Sequence, residues 1–368
     1  MKKFISKYGI ASWKIDSPIE RFLSHKADNS NFWKKLYVKY YDIFDHKYYK
    51  NGLKFIDKNI SLFVGEVSRE KRKQYLIDMI YSLHRFGCMF DEYFLFDFPK
   101  LNANGRETFV TDKNRWDLYS KMNLDDNQKI FQDKFYCYKK FNKYYGRDMI
   151  RIESQSDKDS LIEFIKRHKN FIVKPCNGSG GVGIRIVHLN GDEDNQIIDE
   201  LLKGQHVVEE LINQSDLMGA WHKNSVNTVR IYTIRNNEGV HILKAFIRTG
   251  YGDAVVDNAS HGGIFALIDP STGIIHTKGF DKKRNEYMRH PNSNIVFPGF
   301  QIPQWDELKR MVSELSYVVE TNRYCGWDLA HTNNGWIMVE GNECAQMAAM
   351  QVATKQGILL EVLQLMNR

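Results

Sequence analysis

Cysteine is scarce in this sequence of 368 residues, where five cysteines lie far apart and never as a C-x-x-C pair. They are Cys88, Cys137, Cys176, Cys325 and Cys344. An odd number of scattered cysteines argues against a disulfide framework and against a zinc site. The pattern favours reduced thiols and predicts a cytoplasmic protein.

Proline and long apolar runs are also few. Seven prolines and 25 glycines leave no collagen-like, repetitive or low-complexity tract. No apolar run approaches the roughly 20 residues of a membrane span. Met1-Lys2-Lys3 could open a signal peptide, but residues 4–16 lack its apolar core. With 42% apolar and 26% charged residues, the chain is expected to form two or three globular lobes.

Positive charge is concentrated towards the N-terminal end. Residues 1–60 hold 13 Lys and Arg against 6 Asp and Glu, which accounts for the whole net charge of +7. Aromatic residues are interleaved with these lysines, and such a segment can bind anionic lipid, a polyanionic glycan or nucleic acid. We favour the simpler interpretation of a helical lobe with buried aromatics and solvated lysines. No nucleic-acid recognition motif accompanies the charge.

Oxygen-bearing side chains interrupt a predicted β-hairpin in the last third of the chain. Residues 326–330 and 336–339 predict two strands joined by an Asn-Gly turn. Asp328 lies on the first strand, and Glu340 and Asn342 end the second on one face. Hard oxygen donors on rigid strands suit Mg²⁺. The alternative is that Asp328 and Asn342 only cap turns.

A lysine followed by a glycine-rich loop forms a second pattern. Lys174 follows a predicted strand over residues 171–173, and four glycines occur between Gly178 and Gly183. The backbone N–H groups of such a loop can fold over phosphates, and a lysine can neutralise phosphate oxygens. A flexible linker is the alternative.

The remaining periodicity predicts helices and antiparallel strands. Ser68 is expected to cap the first of these helices and Gly87 to end it, and Ser156 with Asp159 resembles a capping box. Strand 205–212 carries paired glutamates, which would be solvated if the strand were at an edge. The predicted helices span residues 68–88, 126–145, 156–169, 305–322 and 352–367, and the predicted strands residues 184–189, 205–212, 227–235, 239–250 and a hairpin over 263–275.

The order of these patterns over residues 126–368 resembles that of the ATP-grasp superfamily. Lys134 and Lys174, 40 residues apart, are similar to its two phosphate lysines, and Asp328, Glu340 and Asn342 to its magnesium ligands. The resemblance implies ATP and Mg²⁺ as cofactors. It also implies a phosphate lid and an adenine-binding strand, in which the backbone of Glu210 and Ile212 would bond to the adenine. The lid would comprise Gly178, Ser179, Gly180, Gly181 and Val182, and the strand Glu209, Glu210, Leu211 and Ile212.

The resemblance implies an α+β fold, in which two subdomains over 126–212 and 213–368 enclose Mg-ATP. A mostly helical lobe over residues 1–125 precedes them. That lobe, Asn227 to Arg230, the Gly262-Gly263 hairpin and His290-Pro291 look most like the sugar-transfer-associated ATP-grasp proteins of bacterial surface-polysaccharide loci. Association with a membrane or a glycosyltransferase through the basic lobe is one expectation.

The activity implied is an ATP-dependent carboxylate–amine ligation through an acyl phosphate, with a sugar acid or amino acid as donor. A kinase for a sugar hydroxyl and a non-catalytic scaffold in glycan assembly stay open. Arg230 is expected to hold the transferred phosphoryl group, Lys174 with Lys134 to neutralise the α- and β-phosphate oxygens, and His261 to act as a base. Gly326 stands where several related ligases carry an arginine, whose role would fall to Arg230 or Arg323.

Cationic and polar residues in the connections of this half are the predicted substrate contacts, although a surface position is the commoner explanation for each. They are Asn227, Arg248, Asn258, Lys278, His290 and Arg323.

Overall fold

A computed structural model describes residues 18–44, 46–123, 128–178, 183–189, 191, 194–253, 257 and 262–367. The helices are α1 (Pro18–Asp28), α2 (Asn31–Phe44), α3 (His46–Phe63), α4 (Arg69–Phe86), α5 (Phe90–Leu95), α6 (Ala103–Glu107), α7 (Asp112–Met122), α8 (Gln128–Gln132), α9 (Lys134–Tyr145), α10 (Lys158–Arg167), α11 (Asp194–Leu201), α12 (Asp216–Gly219), α13 (Trp305–Val318), α14 (Ala348–Thr354) and α15 (Leu359–Asn367). The strands are β1 (Met149–Ile152), β2 (Asn170–Pro175), β3 (Arg185–His188), β4 (His206–Glu210), β5 (Thr228–Asn236), β6 (Gly239–Thr249), β7 (Ile264–Ile268), β8 (Gly279–Phe280), β9 (Glu286–Tyr287), β10 (Tyr324–Thr332) and β11 (Gly335–Asn342).

The chain divides into two compact units, one of Met1–Tyr119 with Gln346–Gln364 and one of Ser120–Ala345 with Leu365–Arg368. The first unit is helical throughout its described part, as the sequence predicts. Its core is aromatic, with Tyr37, Tyr81 and Phe98 fully buried. The predicted helix over residues 68–88 is confirmed.

Local chemistry sets the ends of α4. The Ser68 hydroxyl accepts a hydrogen bond from the Lys71 amide at 3.2 Å, and Gly87 takes the left-handed conformation with φ 68° that ends the helix.

The single helix predicted over residues 352–367 is wrong, because two helices, α14 and α15, replace it. Lys355 has a φ of 55° at the end of α14. A Cβ on Gly357 would lie 2.2 Å from the Thr108 carbonyl oxygen, so the chain approaches that backbone closely only because residue 357 is glycine. Gly357 and Thr108 lie far apart in the sequence of the first unit, so apolar periodicity does not reveal this contact.

The second unit holds two antiparallel sheets. The smaller has the strand order β1-β4-β2-β3, and its core includes Leu161 and Phe164 of α10. The larger has the order β11-β10-β5-β6-β7-β8-β9. Apolar residues of α13 at helical spacing, Trp305, Leu308 and Val312, join the core on one side of this larger sheet. The other face of this sheet carries the charged side chains of the candidate active site.

Three local features differ from the sequence predictions: the start of α9, the capping box before α10 and the return arm of the hairpin after β7. Residues 126–145 are not one helix, because Asp133 interrupts it: the Asp133 side chain accepts the Phe135 and Tyr136 amides and caps α9. The capping box before α10 is formed by Ser154 and Asp157, not by Ser156 and Asp159.

The predicted hairpin over 263–275 has only one extended strand, β7. Its return arm makes isolated bridges from Ile274 and Ile275. Within the described residues, no helix is both long enough and apolar enough to cross a membrane.

Candidate active site

Strands β10 and β11 place three oxygen-bearing side chains on one sheet face. Asp328 pairs with Glu340, and Gly326 pairs with Asn342, in an antiparallel register. Because side chains alternate along a strand, Asp328, Glu340 and Asn342 project to the same side. A bulge follows directly after Asp328, because Leu329 pairs with Met338 and Val339 is left without a partner on β10.

Two arginines hold Asp328 on this face. Arg230 on β5 lies opposite Asp328 and donates from Nε and Nη2 to its two carboxylate oxygens. Arg248 on β6 donates from Nη1 to Asp328 Oδ1 at 2.8 Å. Burial alone raises the pKa of Asp328, but the two guanidinium groups outweigh it and hold that pKa below its usual value.

Asp257 extends this buried charge network. It accepts a hydrogen bond from Arg248 Nη2 at 2.8 Å and another from the Thr228 hydroxyl. Burial, and then the negative charge of Asp328, raise the pKa of Asp257. Arg248 is therefore held between two carboxylates, which fixes the direction of its guanidinium group.

Glu340 and Asn342 complete the donor set. Burial and the facing Asp328 charge raise the pKa of Glu340, while the charges of Arg230, Lys134 and Lys174 oppose this rise. Asn342 has a buried Nδ2 atom without a hydrogen-bond partner among the described residues. Two facing carboxylates and an amide that can present its oxygen fit Mg²⁺, because a divalent cation relieves the repulsion between them.

The smaller sheet contributes Lys174 at the end of β2. Lys174 Nζ donates to Glu209 Oε2 at 2.7 Å, and Arg147 Nε donates to Glu209 Oε1 at 2.5 Å. Although burial raises the pKa of Glu209, the charges of Arg147 and Lys174 lower it to about 2. Arg147 also donates from Nη1 to the Met338 carbonyl at 2.6 Å. This arginine thus ties the smaller sheet to β11, the strand that carries Glu340.

Lys134 lies where α9 meets the glycine-rich loop. Its backbone amide donates to the Cys176 carbonyl at 3.0 Å, and its Nζ donates to the Gly178 carbonyl at 2.8 Å. Lys174 at the end of β2 and Lys134 at the start of α9 therefore both lie beside the segment that leads into the loop. The predicted lid residues 179–182 fall outside the described residues.

The alternative of an edge strand with solvated carboxylates does not hold for β4, because β4 lies between β1 and β2. Alternation buries the Glu209 side chain, while Glu210 accepts the Asp148 amide at 3.0 Å on the other face. β4 ends at Glu210, so Leu211 and Ile212 lie just beyond it.

A family model described as sugar-transfer associated ATP-grasp matches residues 113–367. This range exceeds half of the chain. The protein belongs to the sugar-transfer associated ATP-grasp family. No match was found among curated proteins.

Solved structures with a similar arrangement include other ATP-grasp proteins. The ATP-grasp ligase PsnB, complexed with a variant precursor, Mg and ADP, is 14% identical at a TM-score of 0.42 and is matched over 67% of this chain and 62% of its own. For the D-alanine-D-alanine ligase from Helicobacter pylori the values are 14%, 0.40, 64% and 60%. For the ADP complex of N5-carboxyaminoimidazole synthetase from Staphylococcus aureus they are 13%, 0.39, 62% and 52%. The chain thus spans less than two thirds of each of these three chains.

Four of the predicted substrate residues of this ATP-grasp protein have hydrogen-bond partners outside the charged face. Asn227 is fully buried, and its Nδ2 donates to the Met218 and His222 carbonyls at 3.0 Å. Arg323 donates from Nε to the Arg235 carbonyl at 2.9 Å, near the other end of β5. Both side chains hold backbone segments in place.

Lys278 and His290 also have local partners. Lys278 Nζ donates to Glu286 at 2.9 Å. The His290 ring is buried, its Nε2 is 2.8 Å from the Gly250 carbonyl, and its Nδ1 accepts the Asn292 amide. Of the other two predicted substrate residues, Arg248 lies on the charged face and Asn258 lies outside the described residues, as does the predicted base His261.

Proposed function

We propose that this protein is an ATP-dependent carboxylate–amine ligase that acts in the cytoplasm on a precursor of a bacterial surface polysaccharide. One observation carries the proposal: on one sheet face, two facing carboxylates, Asp328 and Glu340, lie beside two half-buried arginines, Arg230 and Arg248. Such a face offers oxygen donors to a cation and positive charge to phosphate and carboxylate oxygens.

We assign nucleotide binding to residues 126–212. Lys134 and Lys174 would neutralise phosphate oxygens, residues 178–182 would cover them, and the backbone after Glu209 would bind adenine through Glu210 and Ile212. The hydrogen bonds of Arg147 support this assignment, because Arg147 donates both to Glu209, which also accepts from Lys174, and to the Met338 carbonyl of β11.

We assign metal and acceptor binding to residues 213–368. Asp328, Glu340 and Asn342 would hold Mg²⁺, which when bound supplies charge neutralisation for the β- and γ-phosphates. Two observations support a cation here. The side-chain amide of Asn342 has no partner for its Nδ2 among the described residues, and the pKa of Glu340 is raised by burial and by the charge of Asp328. A bound cation would pair with the Asn342 amide oxygen and offset the charge of both carboxylates.

In the proposed reaction an oxygen of the substrate carboxylate attacks the γ-phosphorus of ATP, the bond to the bridging oxygen breaks, and ADP leaves. The nitrogen of an amine then attacks the acyl carbon, phosphate leaves with the bonding electrons, and the nitrogen loses a proton. Arg230 would neutralise the transferred phosphoryl group, and Arg248 would orient the carboxylate. His261 is our candidate for accepting the proton.

The family's association with sugar transfer supports a sugar acid or an amino acid as donor and a free or sugar-linked amine as acceptor. An ADP-release screen over sugar acids and amino acids, alone and in pairs, tests this. We expect ADP release that needs one acid and one amine, with one free phosphate per ADP. ADP release with a single alcohol and without free phosphate would establish a kinase instead, and ATP binding without any turnover would favour a scaffold.

A further inference from the structure

The outward side of α2 combines apolar and basic residues. Phe32, Leu36 and Ile43 are 64%, 37% and 64% exposed, and Lys35 and Lys39 are exposed between them. Their spacing places all five side chains on one side of the helix. An exposed apolar stripe of this length on a helix is unexplained by the packing of the first unit.

Helix α1 continues this surface. Ile19 and Phe22 are 63% and 53% exposed, and the Phe22 ring and the Phe32 ring each lie 5.8 Å from the Trp33 ring. The apolar residues of the two helices therefore form one continuous patch. We call it the α1–α2 face, and it comprises Ile19, Phe22, Lys26, Phe32, Lys35, Leu36, Lys39 and Ile43.

Two of the three described acidic residues of these helices are held by partners away from the α1–α2 face. Glu20 accepts a hydrogen bond from the Tyr41 hydroxyl at 3.1 Å, and Asp28 is held by Arg85 at 3.1 Å. The third, Asp42, comes three residues after Lys39 and lies on the same side of α2. Asp42 is half-buried and has a partner of its own. Among the described residues of α1 and α2, every exposed ionic side chain is thus a cation, apart from the titratable His25.

The clustering separates this face from ordinary surface apolar residues. Five of the fifteen exposed large hydrophobic residues found in the described chain lie on these two helices. Single exposed apolar residues are normal, whereas a contiguous patch marks an interaction site. Lysine is depleted from the cores of protein–protein interfaces, so a patch with lysines set among phenylalanine and isoleucine favours a different partner.

We propose that the α1–α2 face binds the surface of an anionic lipid bilayer. Phe22, Phe32 and Ile43 would enter the boundary between headgroups and acyl chains, and the neighbouring lysines would lie at the lipid phosphates. The proposal concerns the first unit only and does not depend on the reaction proposed above.

Co-sedimentation of the full-length protein with vesicles tests the proposal. We expect binding to vesicles of phosphatidylcholine with phosphatidylglycerol, weakened by salt, and none to pure phosphatidylcholine. Lys35→Gln with Lys39→Gln should weaken binding about 30-fold, because each lysine near such a surface contributes about a factor of five. Phe32→Ser with Ile43→Ser should weaken it about tenfold or more.

Two matched double variants serve as controls in the same unit. Lys71→Gln with Lys73→Gln removes two exposed charges from α4, and Leu360→Ser with Val64→Ser removes two exposed apolar side chains elsewhere. Both should bind vesicles as the parent does. Absence of binding to anionic vesicles, equal binding to both vesicle types, or equal loss in the controls would overturn the proposal. A dimer in sedimentation that Phe32→Ser dissociates would overturn it too, since the face would then bind a second copy.

Discussion

Arg230 occupies the space beside Gly326. A Cβ atom on Gly326 would lie 3.3 Å from Arg230 Nη1 and 2.5 Å from the Ala345 Cβ. Strand β10 therefore has no room for a side chain at position 326, where several related ligases carry an arginine. The guanidinium group of Arg230 lies beside this position from the neighbouring strand β5, whereas Arg323 donates to the Arg235 carbonyl. We therefore propose Arg230 rather than Arg323 for the role of that arginine.

Arg230→Lys should lower turnover by about 10² or more with the fold retained, because lysine cannot make the two parallel bonds to Asp328. Steady-state kinetics with an acid and amine identified by the ADP-release screen measures this. Arg235→Lys, on the other face of the same strand, is the control and should be close to the parent. Equal activity of Arg230→Lys and the parent would show that this arginine takes no part in the reaction.

Asp257→Asn should raise the KM for the carboxylate substrate about tenfold and leave the KM for ATP unchanged. The variant keeps an acceptor for Thr228 but loses the charge that holds Arg248. Asp253→Asn, an exposed acid in the same connection, is the matched control. An increase in both KM values would show that Asp257 supports the fold rather than the orientation of Arg248.

Lys174→Met should weaken ATP binding, measured by calorimetry in the presence of Mg²⁺. We expect a loss of about tenfold or more, and a smaller loss for ADP if the lysine reaches the γ-phosphate. Lys169→Met, at an exposed position just before β2, should bind as the parent does. Unchanged ATP affinity in Lys174→Met would contradict the assignment.

Glu209 links stability to pH. Its pKa is lowered to about 2 in the folded protein, so its charge stabilises the fold above its unfolded pKa of about 4.5. This stabilisation, on the order of 3 kcal/mol, is lost as the pH falls from about 4.5 towards 2. Glu209→Gln should therefore melt at a lower temperature near neutral pH, and its melting temperature should fall less steeply over that acidic interval. A parallel shift at every pH would contradict the ion-pair explanation.

Sequence patterns predicted the strands of the site well because their side chains alternate regularly. The β10–β11 hairpin and the β5–β6 pair could be placed from period-two patterning and from turn residues. The placement of these strands predicts that Asp328, Glu340 and Asn342 lie on one face of the sheet. Arg230 follows as well, although its pairing with Asp328 depends on strand order, which one sequence does not specify.

Arg147 and Asp257 could not be predicted in the same way. Arg147 stands just after α9, and its partners Glu209 and Met338 are 62 and 191 residues away. Asp257 lies between β6 and β7 in a polar connection where no period applies. Both acquire their roles from tertiary contacts.

The helical errors have the same origin. Periodicity carried the predicted helices through Asp133 and Gly357, since neither residue interrupts an apolar stripe. Asp133 stops one helix by capping the next, a local effect that its position before Phe135 could have indicated. Gly357 lies against the backbone of Thr108, which only the folded chain brings near.

Trapping with hydroxylamine tests the proposed ligase most directly. Hydroxylamine attacks the acyl carbon of an acyl phosphate to give a hydroxamate, whereas it leaves a phosphate ester intact. With a suitable acid and Mg-ATP we expect hydroxamate, ADP and free phosphate in equal amounts. Asp328→Asn and Glu340→Gln, each folded by circular dichroism, should yield none, because each loses one carboxylate charge at nearly constant volume. ADP formed without hydroxamate, with the phosphate retained on an alcohol, would contradict the account.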